Sequence, residues 1–405
     1  MKMNETVKGF RDFTGQEALK REEIKKIIIE KFKTYGFNPC ETPIIEFEEF
    51  VKQDNENDKA VSDIFRLKDK GERSLALRYE FTFQLKRLAV NKKLPFKRYQ
   101  IGEVFRDEPV SSNRFRQFTQ CDVDTIGSTF RDEAEILKLI SEIFKELGIS
   151  AEILINNRKL LNEILEEQGI KDQNKKEQVI REIDKLDKLS EAEVKKNLKQ
   201  YGAEDLISIF KNKEKFFEKY SSYKEIEELK KFCKLFDLEV IFSPTLARGL
   251  SYYNSSVFEI KENALHFRDA EKPGFSSIKL KNMKESIAGG GSYLVNGIQG
   301  TGISFSLERL VPLTKKEFEN IKCVIISINQ EEKAIELAQE LRKENISCVM
   351  MDKISKALEY ANNEKIPFVV FIGEEEIKKN KFKLRDMKSG KEEFLTEKEI
   401  IKSLA

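Results

Sequence analysis

Several features are missing from this chain of 405 residues, and each absence excludes something. No run of 18 apolar residues occurs, so no membrane-spanning helix is expected. Charge of one sign is missing too: 73 Lys and Arg stand against 71 Asp and Glu, for a net charge of +2. A balance that close creates no global attraction to nucleic acid, so a polyanionic partner has to be met by local patches. The five cysteines, Cys40, Cys121, Cys233, Cys323 and Cys348, lie far apart and form no CxxC pair. They read as reduced residues of a cytoplasmic protein rather than a disulfide framework. A single histidine, His266, makes a Cys/His zinc site unexpected; it reads as a surface or strand residue. The opening MKMNETVKGFRDF lacks the apolar centre of a secretion signal. No GxGxxG and no GK[ST] is found, which leaves out the dinucleotide fingerprint and the P-loop.

What is present is 40% hydrophobic residues, enough for a sizeable core, in a length that suits two or three domains. Lys97 to Gly127, KRYQIGEVFRDEPVSSNRFRQFTQCDVDTIG, reads as two strands around a polar turn. Its second arm alternates Gln120, Asp122 and Asp124 with Cys121 and Val123, which sends the three polar side chains to one face. Arg106, Glu108, Arg114 and Arg116 bracket the turn. Buried charges on such a face need partners, since each one left alone costs several kcal/mol, on the order of the loss on breaking a buried pair.

Thr14 and Glu17 form a capping-box pattern ahead of a helix carrying Ile24, Ile27, Ile28, Phe32 and Tyr35, which Gly36 stops. FNPCETPIIE is extended, because Pro39 and Pro43 bar a helix. FRLKDKGERSLALR reads as a strand, a turn and a second strand. Glu80 and Thr82 fall at the junction with a following helix, where Thr82 can cap or Glu80 can meet an ammonium group. Ile136 to Leu147 is one helix and AEILINN a strand. From 158 to 224, charged Leu/Ile-spaced helices follow one another with solvated faces and no chemistry. LARGLSYYNSSVFEI reads as two strands joined through Gly249. AGGGSYLVNGIQGTGISFSLERL reads as a Gly-rich stretch, then a strand, then a helix. From Ile321 onward strands and helices alternate, predicting a small parallel-sheet α/β domain.

Several of these segments resemble one family. FRDE followed by Arg114, Phe118 and Asp122 in RxxxFxxxD spacing resembles motif 2 of the class II aminoacyl-tRNA synthetases. The first helix with its proline-ended strand resembles motif 1, and GTGISFSLERL resembles motif 3, GxGFGLERL, with Ser304 and Ser306 for glycines. KGFRDF, RYEFT and RGLSYYNSSVFE resemble segments of the histidyl-tRNA synthetases: KGxRDx, RPExT or RYDLT, and RGLDYYxxTVFE. Ser251 stands where that last signature has Asp. GGGSYL stands for GGGRYD, so Ser292 and Leu294 replace an Arg and an Asp. The terminal alternation is similar to the anticodon-binding domain shared by the histidyl, threonyl, prolyl and glycyl enzymes.

The resemblance implies an α+β fold: a six-stranded antiparallel sheet flanked by helices, a helical insertion and a C-terminal α/β anticodon-binding domain. It implies a catalytic core in two parts, 1–157 and 225–318, split by an insertion at 158–224 and followed by the terminal domain at 319–405. It implies joining of L-histidine to tRNA-His with ATP and Mg2+, without zinc, by a cytoplasmic homodimer with Pro43 at its interface. Arg106, Glu108, Arg114, Phe118, Arg248 and Arg309 would hold ATP, with Arg106, Arg248 and Arg309 acting in catalysis. Glu80, Phe81, Thr82, Arg106, Gln120, Asp124, Arg248, Tyr252 and Tyr253 would hold histidine. Two other readings stay open: a regulatory paralogue of the type that partners ATP phosphoribosyltransferase, and a tRNA-binding module without ligase activity.

Overall fold

The computed structural model describes residues 5–52, 63–111, 114–187, 189–248, 252–262, 286–318 and 321–405. His266, Gly249 and Ser251 lie outside the described residues. Two compact units emerge: residues 1–12 with 24–316, and 13–23 with 317–405.

In chain order the elements of the first part are α1 (Gly15–Thr34), β1 (Asn38–Pro39), β2 (Ile45–Phe47), α2 (Glu48–Lys52), β3 (Arg66–Lys68), β4 (Ser74–Leu77), α3 (Leu85–Leu88), β5 (Phe96–Phe105), β6 (Gln117–Ile126), α4 (Phe130–Glu146) and β7 (Ala151–Asn157). Helices α5 (Arg158–Glu167), α6 (Gln173–Ile183), α7 (Glu191–Lys199), α8 (Leu206–Phe210) and α9 (Tyr223–Leu235) follow. Then come β8 (Ile241–Phe242), β9 (Tyr253–Glu262), β10 (Ser286–Val295), β11 (Ile298–Ser306) and α10 (Leu307–Leu313).

The main sheet runs β1-β5-β6-β11-β10-β9-β7-β8. Its six central strands are antiparallel to their neighbours, as the resemblance implies. A parallel strand of two residues is added at each edge, β1 beside β5 and β8 beside β7. Strands that short carry no alternation that could be read in advance. Helix α4 buries Ile136, Leu137, Leu139, Ile140, Ile143 and Phe144, and the backbone N–H of Thr129 donates to Asp132 at 2.8 Å where the helix begins. Gly148, at φ +71°, ends that stretch. Across 158–224 the Leu/Ile spacing becomes buried faces: Leu160, Leu161 and Ile164 on α5, Val179 and Ile183 on α6, Val194 and Leu198 on α7. A second, three-stranded sheet has the order β2-β4-β3.

Two segments differ from the reading above. Leu246 to Arg248 is not a strand; Arg248 lies at φ +53°, in the left-handed region, where a strand ladder cannot continue. The Gly-rich stretch is itself a strand, β10, paired with β11 through a tight turn at Asn296 (φ +51°) and Gly297 (φ +78°). Asn-Gly is the pair that such a two-residue hairpin turn favours.

In the second unit, β12 (Cys323–Ser327), β13 (Cys348–Met351) and β14 (Phe368–Ile372) are parallel, with α11 (Glu331–Lys343) and α12 (Ile354–Asn363) between them. After α13 (Glu374–Lys378) come β15 (Phe382–Asp386) and β16 (Glu392–Leu395), then α14 (Glu397–Leu404). β15 and β16 add an antiparallel hairpin, so the five-stranded sheet is mixed rather than purely parallel. Asp386 seeds the turn between them by accepting from the backbone N–H groups of Lys388 and Ser389.

Candidate active site

Strands β5 and β6 face each other with Arg98 opposite Asp124, Gln100 opposite Asp122 and Gly102 opposite Gln120. The polar row therefore continues across both strands, and all of it is buried. Arg98 is 0% exposed. Its Nη2 stands 2.8 Å from Asp124 Oδ2 and donates to the carbonyl of Phe81 at 3.1 Å. The hydroxyl of Tyr293, from β10, donates to Asp124 Oδ1. Gln120 donates to Asp122 at 2.9 Å, and its Oε1 accepts from Arg106 at 3.2 Å.

Burial pushes Asp122 well above the carboxylate range; Arg98 opposes the shift, while Asp124 and Glu80 add to it. Burial also raises Asp124, against the pull of Arg98 and the hydroxyl of Tyr293. Two carboxylates this close do not both ionise easily. Of the two, it is Asp124 that has a guanidinium beside it, and burial raises Asp122 the more strongly.

Glycines on β10 and β11 make room for functional side chains. A Cβ at Gly302 would collide with Asp124 Oδ1, and one at Gly289 with the guanidinium of Arg248. Arg248 is half-buried, with Nη1 3.8 Å from Glu259. Burial works against its charge, but Tyr253 and Glu259 outweigh it and hold its pKa up. Tyr253 interacts with Arg248 and Tyr252, and its ring lies 4.7 Å from that of Tyr252. The ring of Tyr252 is in turn 5.8 Å from Tyr293. Glu80 faces Asp122, Tyr252 and Tyr253 electrostatically.

The remaining arginines belong to the ends of adjacent strands. Arg106 follows β5, Arg114 precedes β6 and Arg309 follows β11, while Arg248 lies on Gly289 near the start of β10. In the order β5-β6-β11-β10 these ends fall on the same edge of the sheet. The guanidinium of Arg106 sits 4.4 Å from the Tyr79 ring and 4.9 Å from the Phe118 ring. Arg114, half-exposed, is 3.4 Å from Glu108, which also accepts from the Tyr79 hydroxyl at 3.5 Å. Arg309 donates to the Ser286 carbonyl. Glu308 accepts the backbone N–H of Thr119 at 3.1 Å and so ties α10 to β6.

Of the other sequence-derived candidates, Phe81 is a buried wall whose ring lies under Arg78 at 4.9 Å. Thr82 is half-buried beside α3, whose first turn follows Gln84 and has no side-chain cap. Pro43 is exposed, next to exposed Ile44 and Ile45. Arg98 and Tyr293 escaped the sequence reading. Their signal was parity: Arg98, Gln100 and Gly102 alternate with apolar Tyr99 and Ile101, and Tyr293 shares parity with Gly289 and Gly291.

Ser292 points away from this face, as the residue beside Tyr293 must. Its hydroxyl donates to Glu133 on α4. Burial drives Glu133 up to about 7, although the hydroxyls of Ser256 and Ser292 hold it down. Glu133 borders a cavity of about 730 Å³ lined also by Ser128, Thr129, Arg131, Lys159 and Glu225. None of the candidate substrate residues lines it.

A family model described as histidyl-tRNA synthetase matches residues 9–310, and one described as an anticodon binding domain matches residues 322–405. Histidine–tRNA ligase 1 of Bacillus cereus is 33% identical over 425 residues, spanning 95% of this chain and 96% of that protein. The histidine–tRNA ligase of Wolinella succinogenes is 32% identical over 430 residues, spanning 95% and 94%. The crystal structure of a histidyl-tRNA synthetase from Nostoc sp. PCC 7120 matches with a TM-score of 0.81 at 24% identity, covering 99% of this chain and 98% of that one. A Bacillus halodurans structure, described as an ATP phosphoribosyltransferase regulatory subunit/histidyl-tRNA synthetase, matches with a TM-score of 0.72 at 20% identity, covering 92% and 98%. Both structures speak for the fold.

Proposed function

The chain belongs to the histidyl-tRNA synthetase family, and from that premise we propose that it is a histidine–tRNA ligase. It activates L-histidine with ATP to the adenylate, releases pyrophosphate, and passes the histidyl group to the 3′ end of tRNA-His, releasing AMP. The observation that supports the reading is that Arg106, Arg114, Arg248 and Arg309 lie at the same ends of four adjacent strands, beside the buried polar row that ends at Asp124.

In the first step the substrate carboxylate attacks the α-phosphorus. Little covalent work falls to the protein; the barrier drops by positioning and by neutralising charge on phosphate oxygens. Arg106 and Arg248 hold the reacting carboxylate and the α-phosphate, while Arg114 and Arg309 hold the outer phosphates. Planar guanidinium groups suit that work because they donate in pairs. Mg2+ accompanying ATP would neutralise phosphate charge, with Glu259 the carboxylate at the same edge that would hold it. Phe118 offers its face, and Glu108 an acceptor, to adenine. Glu80, Thr82 and Gln120 take the ammonium end of histidine.

A neutral imidazole offers one donor and one acceptor. Asp124 takes the donor, and the hydroxyl of Tyr253 serves the acceptor, with Tyr252 packed behind it. A slot that demands both contacts rejects apolar analogues by roughly 10⁴-fold, since its polar groups would be left unpaired. The second unit, by its family match, reads the anticodon. No helix among the described residues is long and apolar enough to cross a membrane, and a cytoplasmic setting fits free cysteines. A regulatory paralogue is not favoured: the terminal domain and Arg106, Arg114, Arg248 and Arg309 are all retained, and the relatives of similar length are named as ligases.

The test is histidine-dependent pyrophosphate exchange, followed by charging of tRNA-His. Wild-type protein exchanges and charges; Arg248→Ala loses at least about 10³-fold in exchange, the scale of removing one charge-stabilising donor, while its circular dichroism is unchanged. Exchange at the wild-type rate in that variant removes Arg248 from the chemistry.

A further inference from the structure

The carboxylate assigned above to the imidazole is itself held by a buried cation. Among the described residues, Arg98 is the largest fully enclosed side chain by volume. It spends one nitrogen on Asp124 and the Phe81 carbonyl, and its Nε and Nη1 have no hydrogen-bond partner. Such an ion pair is a poor device for stability, because an apolar pair of the same size would avoid the desolvation cost. The groups facing it are Asp122 and Asp124 from β6, Tyr293 from β10 and Cys40 from the segment after β1, with Glu80 beyond Asp122. Burial keeps the thiol of Cys40 and the phenol of Tyr293 in their neutral forms. One cation thus faces this acidic cluster, and the carboxylate it touches, at 2.8 Å, is Asp124.

Resting on the function proposed above, we infer that Arg98 is a positioning residue for the side-chain end of the histidine slot: it keeps Asp124 ionised and aimed, so that Asp124 accepts an N–H from a neutral imidazole. Oδ1 of Asp124 accepts from Tyr293, whereas Oδ2 pairs with Arg98 by charge at 2.8 Å and accepts no hydrogen bond from the described residues. A carboxylate oxygen offers two lone pairs, so each keeps at least one for the ring. A protonated Asp124 could offer its O–H to the ring's bare nitrogen instead, and would no longer choose the N–H side.

The experiment is the pH profile of kcat/KM for histidine in pyrophosphate exchange at saturating ATP, for wild type, Arg98→Met and Arg98→Lys. Losing the neighbouring cation raises a carboxyl pKa by about one to three units. In Arg98→Met the acid limb therefore moves up by about one pH unit or more, and KM for histidine rises at least about tenfold while KM for ATP stays within about twofold. Arg98→Lys, which keeps the charge, returns the limb toward the wild-type position. A lower plateau with an unmoved limb overturns the inference and leaves Arg98 a packing residue. Should Arg98→Met not fold, the neutral pair Arg98→Met with Asp124→Asn is measured instead. It lacks the titrating carboxylate and its acid limb returns to that of substrate imidazole; a limb still displaced upward overturns the inference. Absence of histidine exchange in the wild type is a different result, and it defeats the ligase reading itself.

Discussion

Two buried carboxylates, one on β6 and one on α4, meet different fates. Asp124 has a guanidinium at 2.8 Å. Glu133 has hydroxyls for company, from Ser256 and Ser292, and is pushed from 4.5 to about 7. Ser292 is the position where the resemblance leads one to expect an arginine. Its hydroxyl serves Glu133 on the face away from Asp124 and Tyr293, so the substitution leaves the arginine edge untouched. It does leave Glu133 with a pH-dependent cost. An acid whose folded pKa is raised contributes stability that is fully present below about 4.5 and lost as pH climbs through about 7. The shift corresponds to about 3 kcal/mol. Glu133→Gln keeps an acceptor for the Ser292 hydroxyl and cannot ionise. Chemical denaturation at pH 5 and pH 8 is expected to show the variant gaining on wild type by up to about 3 kcal/mol between the two. A gap that does not change with pH would mean that Glu133 is already ionised, or neutral, throughout.

At the scale of elements, the hairpin β5–β6 was legible because its alternation is plain: Cys121 and Val123 turn inward to the core while Gln120, Asp122 and Asp124 turn to the other face. Arg98 was not legible, because a strand arginine looks the same in sequence whether it is wet or sealed beneath a neighbouring strand. The Gly-rich stretch misled for a related reason. Glycine lowers strand signal, yet Gly289 and Gly302 lie in strands where a side chain would strike Arg248 or Asp124. Only the tertiary neighbour explains them. Arg248 misled in the opposite sense: Leu-Ala-Arg reads as strand, and the backbone turns left-handed there to bring the guanidinium over Gly289. Gly302→Ala tests the element's purpose. Its methyl group would press on Asp124 Oδ1 and on the backbone carbonyl of Val123 at 3.0 Å. Steady-state kinetics should show KM for histidine up by about tenfold or more, the effect of losing one polar contact worth about 1.4 kcal/mol, and KM for ATP little changed. Equal increases in both would mean that the strand, and not the slot, had been disturbed.

For the whole molecule, the small sheet carries a face that the fold leaves open. Phe47, Leu75 and Leu67 lie in register across β2, β4 and β3, and Ile45 pairs with Leu77. Glu46 and Ala76, of opposite parity, are buried beneath. The upper face is apolar and exposed: Ile45 is 49% exposed, Phe47 58% and Leu67 38%, next to Ile44 and Pro43. A contiguous apolar patch of this kind marks an interaction site more often than an accident of composition. We propose that it meets its own copy in a homodimer, the arrangement that the motif 1 resemblance implies for Pro43. Burying each such side chain is worth about 1.5–3 kcal/mol, and a two-fold axis uses every one twice. Ile45→Glu with Phe47→Glu would place four carboxylates in the joint and leave the backbone ladder of β2 with β4 intact. Analytical ultracentrifugation at micromolar concentration is expected to give a dimer for wild type and a monomer for the double variant. The dimer dissociation constant should rise by at least about 10³-fold, since each tenfold corresponds to about 1.4 kcal/mol. A double variant that sediments as a dimer would move the interface elsewhere on the surface. A wild type that sediments as a monomer would leave the apolar face to a different partner.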